Sequence, residues 1–161
     1  MRIIGIDPGS RYTGYGVIER EGQHLRHIAS GRINATSGAT FPERLEIIYK
    51  GLTSILEEWP ADQAAVETTF TAKNAQSTIK LGHARGVALL ALRHQALPIH
   101  EYAPALIKKS VAGSGRATKA QITQMIKLRL NLTADLSSDA ADALAIAVCH
   151  SQVSDFHQRL S

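Results

Sequence analysis

The chain opens on a short apolar run, Arg2 to Ile6, closed by the turn-forming residues Asp7-Pro8-Gly9-Ser10. Rich in isoleucine, this run predicts a buried strand ending in a turn. Thr13 to Glu19 predicts a second strand, Glu21-Gly22 a turn and Leu25 to Ile33 a third strand, which together make an antiparallel meander. The period changes after Pro42. Leu45, Ile48, Leu52, Ile55 and Leu56 fall on one helical face before Trp59-Pro60 ends the pattern. Ala64 to Glu67 and Ile99 to Tyr102 read as short strands on either side of a long helical stretch, Asn74 to Gln95. Pro104 opens a short helix into Lys108-Lys109, and Gly113 to Arg116 forms a flexible loop. Helical spacing resumes at Ile122, Met125, Ile126 and Leu130, and again from Ser138 to about Ser151.

Strands grouped first, then alternating with helices, predict an α/β fold with a mixed five-stranded sheet. Its first three strands are antiparallel, its continuation is parallel, and helices flank it. With 161 residues, 44% of them apolar, the chain fits a single domain over residues 1–161. Gly31 to Phe41 reads as a polar connection, and residues 152–161 as a mobile tail. The one cysteine, Cys149, lies in an apolar run and is expected to pack there, which excludes a disulfide framework and a Cys-based zinc cluster. No apolar run reaches the roughly 20 residues of a membrane span, and the start of the chain lacks a signal-peptide pattern. The expected setting is the cytoplasm, without a membrane partner.

Charge is segregated along the chain. The formal total is +4, but between Thr68 and Ala134 ten basic residues face a single acid, Glu101. That segment is therefore +9 and the flanks are −5. A basic surface of this kind suits a polyanion, because neutralising phosphates releases counterions. Solvated helix faces would give the same counts, so charge alone leaves both readings open.

Four acids occupy places where α/β sites collect, at strand ends and a helix start. Asp7 ends the first strand, Glu67 ends the central one, and Asp139 with Asp142 opens the last helix. The last two are three residues apart, so they project from nearly one helical face, with Ser137 or Ser138 available as the cap. Asp7 before Pro-Gly is also an ordinary turn residue, and Asp139 an ordinary partner for a helix N-terminus. Glu67 after Ala64-Ala65-Val66, and Asp142 among alanines and leucine, are awkward places for charges without partners. Four converging carboxylates would repel one another. Hard divalent cations, Mg²⁺ or Mn²⁺, remove that cost, and two ions roughly 4 Å apart are a standard device for phosphodiester hydrolysis.

Five pieces in order carry a family resemblance: Ile4-Gly5-Ile6-Asp7-Pro8-Gly9, Val66-Glu67-Thr68-Thr69-Phe70, Lys73-Asn74-Ala75, Leu81-Gly82-His83-Ala84-Arg85-Gly86 and Asp139-Ala140-Ala141-Asp142-Ala143-Leu144-Ala145. From Met1 to about His150 the chain closely resembles the RuvC family, the bacterial crossover junction endodeoxyribonucleases. The resemblance implies a ribonuclease H-like fold and a homodimer that resolves Holliday junctions, four-way DNA junctions, by paired symmetric nicks. It implies catalysis with Mg²⁺ or Mn²⁺ held by Asp7, Glu67, Asp139 and Asp142, and a probe of the junction centre at Phe70. Lys108, Lys109, Arg116 and Lys119 match the family's DNA-contacting region, and Lys73 with Asn74 lies in a matched block. A branch-migration helicase complex, RuvA-RuvB, is the implied partner. His83 departs from the Gln expected in that block and reads as a surface or packing residue, while Ala84, Gly86 and Ala88 offer close helix packing at a dimer interface or in the core.

Three other readings compete with junction cleavage. A ribonuclease H acting on RNA–DNA hybrids would keep the fold and change the substrate. A sugar-kinase or actin-like ATPase shares a similar first strand and turn but needs two domains around its nucleotide. A junction-binding module with inert carboxylates would leave the complete acid set without a purpose.

Overall fold

The computed structural model describes residues 1–68 and 73–160, with residues 155–160 by backbone alone. Its elements run β1 (Arg2–Asp7), β2 (Tyr12–Glu21), β3 (His24–Asn34), α1 (Phe41–Glu58), β4 (Gln63–Glu67) and α2 (Ala75–His94). They continue with β5 (Ile99–Tyr102), α3 (Pro104–Ala112), α4 (Lys119–Arg129) and α5 (Ser138–Leu160). The five strands form one sheet in the order β3-β2-β1-β4-β5. β1 pairs antiparallel with β2, and β2 with β3, whereas β1–β4 and β4–β5 are parallel. This is the mixed α/β sheet that the order of patterns predicts.

β1 lies at the centre, so apolar residues are needed on both of its faces. Ile4 and Ile6 pack with Val17, Ala64 and Val66 against α1 and α2. Ile3 packs with Ile18 and Ala65 against the helices α3, α4 and α5. Cys149 is fully buried in that second layer, as its apolar neighbours require. The turn after β1 is pinned by Thr13, whose hydroxyl donates to Gly9 O at 3.0 Å and accepts from Gly9 N at 3.3 Å. A Cβ on Gly9 would lie 2.2 Å from Tyr12 O, so the tight turn requires glycine there.

Glycines also set how deeply α5 sits on the sheet. A Cβ on Gly5 would lie 2.1 Å from Ala143 O, one on Gly14 2.2 Å from Asp139 O, and one on Gly16 2.8 Å from Leu144 N. Helix backbone therefore rests directly on β1 and β2. That contact brings the first turn of α5, with Asp139 and Asp142, down to the end of β1 that carries Asp7.

Several boundaries differ from the sequence expectation. The residues after Ser151, expected as a tail, continue α5 to Leu160. No Gly or Pro stops the helix there, and Arg20 donates to Ser151 O at 2.7 Å and Ser154 Oγ at 3.4 Å along its flank. β3 extends to Asn34, so the polar connection begins later than Gly31. It ends in a capping box in which Thr40 and Glu43 satisfy each other's backbone N–H at the start of α1. On α2, Ala84 and Ala88 are buried in the chain's own core, which removes them from a subunit interface, while a Cβ on Gly82 or Gly86 would meet open space. Among the described residues, no helix is long and apolar enough to cross a membrane.

Candidate active site

Strand pairing places the first two acids side by side. Ile6 of β1 is in register with Val66 of β4, so Asp7 and Glu67 follow one step later at the same edge of the sheet. α5 supplies the others. Its N-terminus is capped by Ser137, whose Oγ accepts from Ala140 N at 3.2 Å. Asp139 then lies in the first turn of the helix and Asp142 directly after it, with side chains 29% and 32% exposed.

Asp7 reports the crowding of charge. Burial, reinforced by the carboxylates of Asp142, Glu67 and Asp139, pushes its pKa up to about 7, with Lys119 acting in the opposite direction. The Lys119 ammonium donates to Asp142 Oδ2 at 3.1 Å, and this hydrogen bond and charge hold its own pKa above the ordinary lysine value. Lys119 opens α4 directly after the cap Thr118, whose side chain accepts from Gln121 N. A lysine in the first turn opposes the helix dipole, so its position is explained by the carboxylates it faces rather than by the helix it begins. On the other flank, Arg32 Nη1 lies 3.7 Å from Asp139 Oδ2.

With Asp139 and Asp142 drawn to these two cations, the acids do not close around one point. Among the described residues no group of three or more His, Cys, Asp or Glu is gathered closely enough to hold an ion. The donor set nevertheless suits a hard cation: four carboxylates, all oxygen, with burial and then the neighbouring carboxylates raising the pKa of Asp7.

A cleft of about 260 Å³ adjoins the acids, lined by Glu67, Lys108, Lys119, Asp142, Ile107 and Ile146 among others. Two of the expected DNA-contacting lysines thus share a wall with two of the acids. Lys109 is exposed on α3, and Arg116 lines a neighbouring cavity with Ser114, Gln121 and Gln124. Lys73 is exposed just before α2, whereas Asn74 caps that helix, its side-chain oxygen accepting from Ser77 N at 2.9 Å. Phe70 lies outside the described residues. His83 is exposed on α2, its Nδ1 bonded to Ile79 O at 2.8 Å and its ring edge-on to Phe41, in keeping with a surface or packing role.

Two arginines lie beside the acids, Arg32 outside the matched blocks and Arg85 inside one of them with no role assigned there. Arg32 comes from β3, far in sequence from every acid in the set. Arg85 of α2 donates through Nη2 to Glu101 Oε1 at 2.7 Å and through Nε to Glu67 O at 3.5 Å, tying the end of β4 to β5. Its signal in the sequence is Glu101, the lone acid of the basic segment.

The family model for crossover junction endodeoxyribonuclease RuvC matches residues 3–150. The chain is 52% identical to the crossover junction endodeoxyribonuclease RuvC of Citrifermentans bemidjiense, over 93% of this chain and 92% of that one. It is 48% identical to the RuvC of Bordetella parapertussis over 99% and 88%. Among solved structures, Thermus thermophilus RuvC superposes with a TM-score of 0.88 at 30% identity, covering 98% of this chain and 97% of that one. The same enzyme in complex with Holliday junction substrate gives 0.90 at 28%, covering 98% and 96%. A yeast mitochondrial Holliday junction resolvase, Ydc2, shares the fold at 11% identity with a TM-score of 0.66. These neighbours place the sheet and its helices in the ribonuclease H-like fold, and the chain belongs to the RuvC family of crossover junction endodeoxyribonucleases, metal-dependent nucleases.

Proposed function

We propose that this chain is a homodimeric, Mg²⁺-dependent Holliday junction resolvase of the bacterial cytoplasm, nicking two strands of like polarity symmetrically in recombination and repair. One observation carries the reading: Glu67, Asp139 and Asp142 act on Asp7 at one end of the sheet, beside a cleft that also holds Lys108 and Lys119. The four carboxylates would hold Mg²⁺, with Mn²⁺ as a substitute and two ions per site. Such ions supply a nucleophilic water at neutral pH and offset charge on the leaving oxygen.

The chain's own residues perform the rest. β1 and β4 fix Asp7 and Glu67 through backbone pairing, and the seat of α5 on Gly5, Gly14 and Gly16 fixes the height of Asp139 and Asp142. Lys119 and Lys108 face the phosphate and offset its charge. Lys109, Arg116, Lys73 and Asn74 follow the DNA backbone, contacts that position without reading sequence, and Phe70 stacks on a base at the junction centre.

Paired nicks need two sites, hence two subunits. The outward face of α2 suits a second copy, since Ile79 and Leu90 stay 61% and 50% exposed while Gly82 and Gly86 leave room for a close approach. A RuvA-RuvB branch-migration complex is the proposed partner that delivers the junction, tested by co-sedimentation on junction DNA.

The test of the activity compares substrates. With Mg²⁺, a synthetic four-way junction should be cut far faster than an RNA–DNA hybrid, and preferential turnover of the hybrid would replace this reading with a ribonuclease H. Asp7→Asn should lower cleavage by roughly 10³-fold, the several kcal/mol that metal-ion catalysis supplies. Junction binding should survive, because the phosphate contacts lie on other residues.

A further inference from the structure

Asp7, Gly14 and Arg32 form one row across three strands, since Asp7 is in register with Gly14 and Gly14 with Arg32. Directly paired residues project to the same face, here the face covered by α5. Gly14 has no side chain because the backbone of Asp139 lies against it. The lane between β1 and β3 is therefore open, and Arg32 reaches along it to Asp139, with Nη1 at 3.7 Å from Oδ2. The Tyr12 ring supports the guanidinium from one side, with Cζ 4.2 Å from the ring centroid.

Nothing in the fold needs Arg32 in this position. Its side chain is 47% exposed, it belongs to neither core cluster, and it lies in an acidic flank of the chain. An exposed ion pair of this kind is weak and easily exchanged. Lys119 holds Asp142 from one side of the acids and Arg32 holds Asp139 from the other. The basic segment accounts for the first cation but not for the second.

We propose that Arg32 is a DNA-binding residue of the nuclease site: it pairs with Asp139 in the metal-free protein and passes to a backbone phosphate when Asp139 takes a divalent cation. The proposal rests on the nuclease reading above. A guanidinium suits the exchange, because its planar fork of five donors fits carboxylate and phosphate oxygens alike. Stacking on Tyr12 keeps it beside the acids while it changes partner. The DNA track then crosses the carboxylates, bounded by Lys108 and Lys119 on one side and by Arg32 on the other.

Two measurements on the full chain test this, neither of which reads cleavage. Junction affinity is followed by fluorescence anisotropy in Ca²⁺ over a salt series, in an Asp7→Asn background that prevents turnover. Adding Arg32→Gln should weaken binding and reduce the slope of log affinity against log salt by about one per subunit, and Arg32→Lys should recover most of that slope. Mn²⁺ affinity without DNA is followed by titration calorimetry in the chain with Asp7 intact. There Arg32→Gln should bind about two- to fivefold tighter, since a weak competitor for Asp139 has gone. An unchanged salt slope overturns the proposal. A changed slope with unchanged Mn²⁺ affinity overturns the exchange between Asp139 and phosphate. Junction cleavage by the unsubstituted chain, run alongside, separates these failures from a failure of the nuclease reading itself.

Discussion

Asp7 and His150 are single side chains whose protons report how the protein is built. Asp7 has a pKa raised to about 7 from the ordinary 3.8, by burial first and then by its carboxylate neighbours. A carboxyl that binds its proton more tightly when folded favours the fold at low pH, and that stability is lost as pH rises from about 4 through 7. Asp7→Asn should therefore raise the Tm of the metal-free protein at pH 8, by the equivalent of about 2–4 kcal/mol, and change it little at pH 4. Thermal denaturation in EDTA at the two pH values checks this. His150 behaves in the opposite sense. It is buried, with Nδ1 hydrogen-bonded to the Tyr102 hydroxyl at 2.6 Å and Nε2 to Gln63 Oε1 at 2.7 Å. Burial, then His100 and Arg20, pushes its pKa down to about 4. The unfolded chain binds the proton more readily, so stability present above pH 6.5 is lost as pH falls towards 4. His150→Gln should flatten that acid limb, a change of about 2–3 kcal/mol in urea denaturation between pH 7 and pH 4.5.

At the scale of elements, the contact between α5 and the sheet decides the geometry of the site. Adding a Cβ at Gly14 would press on the backbone of Asp139, which has no flexible end to move aside. Gly14→Ala should cost about 2–4 kcal/mol in chemical denaturation and reduce cleavage more than a core substitution of equal cost. The four acids were legible in the sequence because each sits beside a local signal: a strand end, a turn or a capped helix start. The strands and most helix positions were legible for the same reason, since their apolar periods are local. Arg32 was not, because it reaches Asp139 across strands that only the folded sheet makes neighbours, and the part played by Arg85, though it lies in a matched block, shows only once α2 packs against β4 and β5. The continuation of α5 past Ser151 was not legible, because the dense apolar run that marks the helix through Cys149 gives way to a mostly polar stretch. Only a Gly, a Pro or a loss of packing would have ended it, and the chain supplies neither residue there.

For the whole molecule, the proposed paired nicking calls for two subunits. One sheet presents one set of acids, and a four-way junction offers two equivalent strands. Leu90→Glu, on the open face of α2, should shift the protein from dimer to monomer in analytical ultracentrifugation with the urea midpoint nearly unchanged, since Leu90 is half exposed within the subunit. The segregated charge belongs to the same picture, as the +9 segment supplies Lys108 and Lys119 to the cleft while the flanks supply all four acids, Glu67 at the boundary. The most direct measurement maps nicks on a synthetic junction labelled in turn on each of its four strands, with Mg²⁺ present. Paired nicks at symmetry-related positions on two strands of like polarity, absent with EDTA and with Asp7→Asn, are the predicted result. Cleavage of a single strand, equal cutting of linear duplex, or nicks that persist without a divalent cation would contradict a paired, metal-dependent resolvase.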